Sequence, residues 1–133
     1  MARDTWLPTR GPGRGAFEQA LGLRPELSEG YEALRAEIVR ESGLDGGLVA
    51  RCGARVLWLL TAEGDPPEPS DDRERAIFVF VDKFVHDPHG VGEADVAALR
   101  AGLSAAQVVG LTESLALLDG FTRVRLILAG PEA

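Results

Sequence analysis

The chain is poor in the side chains that most enzymes use for chemistry. Among 133 residues there are one cysteine, two histidines and one lysine. The lone Cys52 excludes an intramolecular disulfide, a thiolate pair and a cysteine-rich zinc site. Positive charge is scarce too: 14 Lys and Arg against 21 Asp and Glu give a net charge of -7. That disfavours non-specific nucleic-acid binding and docking on anionic membranes, both of which need a basic surface. All the basic residues except Lys83 are arginines, which with the abundant Ala, Gly and Leu reads as GC-rich codon usage. The rival reading is arginine's use as a bidentate anion binder. Long apolar runs are missing: the longest, Ala76 to Val81, is far too short for a membrane span. Residues 1–15, MARDTWLPTRGPGRG, hold no apolar stretch of signal-peptide length, so a reducing cytoplasm is expected. No glycine-rich phosphate loop follows a strand pattern, and no nucleotide or other cofactor is implied.

What remains is a helical grammar. Apolar content is 45% and charged content 26%, the balance of a globular protein of one domain. Residues 1–15 carry Pro8, Pro12, Gly11, Gly13 and Gly15 and are expected to form an arm or tail. The arm is locally basic, through Arg3, Arg10 and Arg14 against Asp4. Trp6 and Leu7 cannot be buried within it, so the arm is either disordered or packs Trp6 on a neighbouring subunit. Residues 16–130 are expected to form one helical domain. A short helix carries Phe17, Ala20 and Leu21, and Pro25 opens the next. Leu27, Tyr31, Leu34 and Ile38 then recur at helical steps up to a stop at Gly43.

Asp45 is placed to cap a helix whose stripe is Val49, Cys52, Gly53, Val56, Leu57 and Leu60. Gly53 costs about 1 kcal/mol there relative to alanine, which predicts close approach of another helix. The proline-rich EGDPPEPSDD, residues 63–72, must be a loop and lacks the spacing of a calcium site. Asp71 and Glu74 have capping-box spacing before Ile77, Phe80, Val81, Phe84 and Val85. His86, Asp87, Pro88, His89 and Gly90 break that helix. A short helix with Val96 and Leu99 inward follows. Ser104 and Gln107 then cap a last one carrying Val108, Leu111, Leu115 and Leu118. Residues 121–128 alternate like a strand but have no partner strand, so a continuing or kinked helix is expected, with Gly120 as its weak point. The sum is an all-α fold of six or seven helices.

Candidate chemistry is sparse. Cys52 lies inside an apolar stripe, where a thiol is an inert core residue. A reactive thiol would need exposure and a cationic neighbour such as Arg51 or Arg55. His86 and His89 titrate in the right range for acid–base work. With Asp82, Asp87 and Glu93 near in sequence they could suggest a metal site, but they read better as exposed turn residues, and no metal is expected.

Several segments, in order, resemble the carboxymuconolactone decarboxylase family, which includes alkylhydroperoxidase D. They are Phe17, Pro25, Glu26, Leu27, Tyr31 and Leu34; Gly43, Leu44 and Asp45; Glu74, Arg75 and Ala76; Asp82, Lys83, Asp87, Pro88, Val91, Ala94, Asp95 and Leu99; and Gly102, Leu103, Ser104, Gln107 and Leu111. The resemblance implies an alkylhydroperoxidase D-like helical bundle and a homo-oligomer. Redox members of that family carry a glutamate, a Cys-x-x-Cys pair and a histidine. The corresponding positions here fall near Ala50, Ala62, Asp65 and Pro69, none of which can substitute.

The expected function is therefore non-redox binding or conversion of a small organic molecule in an apolar pocket. If the chain is an enzyme, it is of lyase, decarboxylase or isomerase type. Trp58, Ala62 and Cys52 are expected to line the pocket, and His86, His89, Tyr31 and Glu74 are the candidate acid–base residues. An inactive oligomeric interaction protein is the alternative, and residual peroxidase activity through Cys52 is the third. Expected partners are further copies of the chain and a small ligand, with neither nucleic acid nor membrane.

Overall fold

The computed structural model describes residues 20–129, and among them every regular element is helical. The arm with Trp6, and Phe17 of the first expected helix, lie outside the described residues. Five α-helices follow one another: α1 (Pro25–Glu41), α2 (Gly46–Thr61), α3 (Asp72–His86), α4 (Glu93–Arg100) and α5 (Ala105–Ala129). A single 3₁₀ turn, Pro88–Gly90, joins α3 to α4. No single helix among the described residues is long and apolar enough to cross a membrane.

Short polar side chains set the helix boundaries. Asp45 Oδ1 accepts from the Gly47 N–H at 3.0 Å and starts α2. At the head of α5, Ser104 Oγ accepts from Gln107 N at 3.1 Å while Gln107 Oε1 accepts from Ser104 N at 2.9 Å, a complete capping box. The box at α3 is only half made. Asp71 Oδ1 accepts from Glu74 N at 2.8 Å, but the Glu74 carboxylate turns to Ser70 instead of the Asp71 N–H. Residues 121–128 continue α5 as helix, and Gly120 does not interrupt it.

The contacts divide the chain into two units. Residues 38–119 form one, with its core drawn from α2 to α5: Cys52 and Val56, Ile77 and Val81, Leu99, Leu111 and Leu115, each no more than 1% exposed. The backbone of the turn at Ser42 closely approaches Gly110 of α5, where an added Cβ would sit 2.1 Å from the Ser42 carbonyl oxygen. Gly53, the glycine expected at a close helix approach, meets only the tip of Leu118 at 3.4 Å. Val96 and Leu57, both assigned to core stripes by spacing, are exposed. On the eight-residue α4, Leu99 alone is buried, and on α2 the buried face is completed by Leu48 and Val49.

The other unit takes residues 1–37 and 120–133. Tyr31 and Phe121 pack edge to face in it, with ring centroids 4.6 Å apart. The apolar face expected on α1 is present in sequence, but Leu27 and Leu34 are exposed and no residue of α1 is buried.

Candidate functional site

The 63–72 loop, with residue 62 before it, runs back along α2 and is held there by side chains. Arg51, Arg55 and Trp58 lie on one face of α2 at steps of four and three. Each donates to a loop carbonyl. Arg51 Nη2 reaches Glu68 O at 2.8 Å, Arg55 Nη1 reaches Pro67 O at 3.2 Å, and Trp58 Nε1 reaches Gly64 O at 3.2 Å. The acceptors descend in number as the donors ascend, so the loop is antiparallel to the helix. Three prolines leave the loop short of N–H donors, and its carbonyls have to be satisfied from elsewhere.

Two ion pairs fix the same face to α3. Arg55 grips Asp82 with two bonds, Nε to Oδ1 at 2.8 Å and Nη2 to Oδ2 at 2.7 Å. This bidentate bond, more than the charge of Asp82, raises the Arg55 pKa. The guanidinium also lies over the Trp58 ring at 5.1 Å and the Phe78 ring at 5.6 Å. One turn earlier, Arg51 pairs with Glu74, whose Oε2 accepts from Ser70 Oγ at 3.1 Å. Glu74 is thus a buried junction between α2, the loop and α3.

Between loop and helices lies an open cleft of about 280 Å³ lined by Arg55, Trp58, Pro66, Glu68, Phe78 and Val79, with Pro69, Arg75 and Asp82 at its edges. Of the residues expected to line a pocket, only Trp58 is in the lining of this cleft. Ala62 is an exposed helix cap in the left-handed conformation, φ 54°, with its N–H on Trp58 O. Cys52 is shut in the core, 1% exposed, and its thiol is pushed up to about 12 by burial, with Glu74 adding to the shift and Arg51 opposing it.

The candidate acid–base residues do not converge. His86 ends α3 with its Nε2 donating to Leu59 O at 3.2 Å, and it is exposed. His89 is an exposed residue of the 3₁₀ turn. Glu74 is committed to Arg51 and Ser70, and Tyr31 belongs to the other unit. Among the described residues no three His, Cys, Asp or Glu side chains gather as metal ligands. Asp87 and Asp95 serve backbone turns: Asp87 Oδ1 accepts from Gly90 N at 3.1 Å, and Asp95 Oδ2 from Gly92 N at 2.9 Å. Asp95 also binds Lys83 at 2.9 Å, and these two partners lower its pKa.

The residues missed from sequence are Arg55 and Asp82 as a clamp and Arg51 as the partner of Glu74. Their signal was the spacing of 51, 55 and 58 beside a loop rich in prolines. Compared with family models, curated proteins and solved structures, the chain finds no match.

Proposed function

We propose that the chain is a self-associating helical interaction module with no redox chemistry of its own. The observation that carries this is the open apolar surface of the unit formed by residues 1–37 and 120–133. Among its described residues, Leu23, Leu27, Leu34, Val124, Leu126 and Ile127 are all exposed, Leu27 to 60% and Ile127 to 67%. Leu27 and Leu34 flank Tyr31 on one stripe of α1. Among the described residues nothing covers these two helical segments as a second layer, and a symmetric second copy would supply one. Covering the open halves of six such side chains in each of two copies is worth on the order of 10 kcal/mol. The cost of association is of the same order, about 4–15 kcal/mol.

Membership of the carboxymuconolactone decarboxylase family, with the alkylhydroperoxidase D-like bundle of six or seven helices, belongs to the same proposal. Its support is the order of the segments around Gly43–Asp45, Glu74–Ala76 and Gly102–Ser104. A peroxidase role for Cys52 has burial and a raised pKa against it. The expected small organic ligand has one observation behind it, the Trp58 cleft, which is open and at the small end for a ligand pocket. Light scattering after size exclusion tests the main reading. An oligomer mass is expected for the wild type at micromolar concentration, with a fall toward the monomer for Leu27→Glu combined with Ile127→Glu. A monomer mass for the wild type would refute it.

A further inference from the structure

We infer that the Trp58 cleft receives residues 1–15 of a second copy of the chain, anchored by Trp6 and Leu7. The inference rests on the self-association reading and names the segment that crosses between copies.

Size and chemistry of the cleft come first. Its volume of about 280 Å³ and its open mouth suit one large side chain entering with its flanking backbone. Its apolar walls are the Trp58 and Phe78 rings, Pro66 and Val79, set beside the charged Arg55, Glu68, Arg75 and Asp82. Val79 stands 44% exposed at the mouth with no described side chain covering it. Such walls take an aromatic or branched apolar group. Segment 1–15 has one of each, side by side, in Trp6 and Leu7, and Pro8 after them favours extended backbone.

Charge is the second match. Arg55 is neutralised by Asp82, and Arg75 by Asp72 at 2.6 Å. That leaves Glu68 in the lining, with Glu63 and Asp65 on the same loop, and none of the three forms an ion pair. Residues 63–72 hold five acids and no base, whereas residues 1–15 hold Arg3, Arg10 and Arg14 against Asp4. A basic strip around an aromatic anchor thus meets the acidic loop that forms one wall of the cleft.

The test is site-directed cross-linking between two differently tagged full-length chains, both carrying Cys52→Ala. One also carries Thr5→Cys, which leaves Trp6 intact, and the other carries Val79→Cys. Under mild oxidation a mixed disulfide dimer is expected to form about tenfold faster than with Val109→Cys, an exposed control on α5. Trp6→Ala on the first chain, Asp65→Lys with Glu68→Lys on the second, or 0.5 M salt is expected to remove most of that advantage. Asp65 and Glu68 are exposed loop residues, so their reversal is expected to leave the far-UV circular dichroism of the helices unchanged. An oligomer in which Val79 cross-links no faster than Val109, or is indifferent to Trp6→Ala and to charge reversal, overturns the docking while leaving self-association standing. A monomer mass in light scattering overturns both.

Discussion

Gly110→Ala inverts the usual effect of replacing a helical glycine. Alanine in a helix interior is worth about 1 kcal/mol over glycine, so the substitution would ordinarily stabilise α5. Here the new Cβ would stand 2.1 Å from the Ser42 carbonyl oxygen, 2.8 Å from its carbon and 2.9 Å from its Cα. Contacts under 3.0 Å are essentially never made, so one backbone must retreat by about 1 Å. The Ser42 turn resists retreat. Its hydroxyl accepts from Leu44 N at 3.1 Å and donates to Val39 O at 3.2 Å, and Gln107 Nε2 of α5 holds Gly43 O at 2.9 Å. Overpacking against backbone costs about 3 kcal/mol, the upper end of its range, leaving a net loss of about 2 kcal/mol. Gly120→Ala on the same helix meets nothing within 4 Å and should stabilise by up to about 1 kcal/mol. Urea unfolding followed by far-UV circular dichroism at one protein concentration separates the two. With a slope near 2 kcal/mol/M, Gly110→Ala should lower the midpoint by about 1 M and Gly120→Ala should raise it. A Gly110→Ala midpoint at or above wild type, with an unchanged slope, would refute the close approach.

Further outcomes follow from three side chains, Cys52, Asp95 and Arg55. With the Cys52 thiol pushed up to about 12, its labelling by a disulfide reagent at pH 8 should be about 10³-fold slower in the folded protein than in urea; rapid labelling of the folded chain would contradict its burial. The unfolded thiol loses its proton near 9.0 and the folded one does not, so the unfolded state binds fewer protons and stability falls as pH rises above 9. By pH 10 wild type should lose about 1.4 kcal/mol relative to Cys52→Ala. For Asp95 the sign is opposite: its folded pKa is lowered by Gly92 N–H and Lys83, so its contribution is complete above the ordinary 3.8 and lost as pH falls below that. Asp95→Asn should therefore flatten the acid limb of the stability curve, and an unchanged limb would count against the Lys83 contact. Arg55→Lys cannot reproduce the fork on Asp82 together with the bond to Pro67 O, and should cost about 1–2 kcal/mol in urea unfolding. It should also red-shift Trp58 fluorescence in a Trp6→Phe background; an unshifted spectrum would mean that the loop is not held through Arg55.

Much of the helical plan was legible because it is written locally. Asp45, the Ser104–Gln107 pair and Gly43, which takes φ +72°, each act within a few residues of themselves. What spacing could not give was the destination of each face. Leu27, Tyr31 and Leu34 share a stripe, yet only Tyr31 finds a ring to pack on among the described residues. Periodicity tells which side chains travel together, and the layer that covers them is fixed by parts of the chain far away or by another copy. Gly110 was overlooked for the same reason: mid-helix it has no local signature, and its cause is the Ser42 turn. Trp58, expected as a lining residue from its place one turn before the vacated cysteine position, does line the cleft, whereas Ala62 is the left-handed cap of α2 and is not in that lining.

One group touches both the loop and the thiol's electrostatics. Glu74 accepts from Ser70 in the loop, pairs with Arg51 on α2 and stands close enough to Cys52 to raise its pKa. Arg51 in turn reaches the Glu68 carbonyl. A reactive thiolate at position 52 would need the opposite field, with positive charge facing the sulfur and carboxylate kept away. Removing Glu74 to provide that field would also free Ser70 and leave Arg51 without its carboxylate, loosening the strap that forms one wall of the Trp58 cleft. Burial is the main reason that the chain's single thiol stays neutral, and the ion pair that holds the acidic, proline-rich loop on α2 makes a smaller, partly cancelling contribution there, Glu74 adding to the shift and Arg51 opposing it.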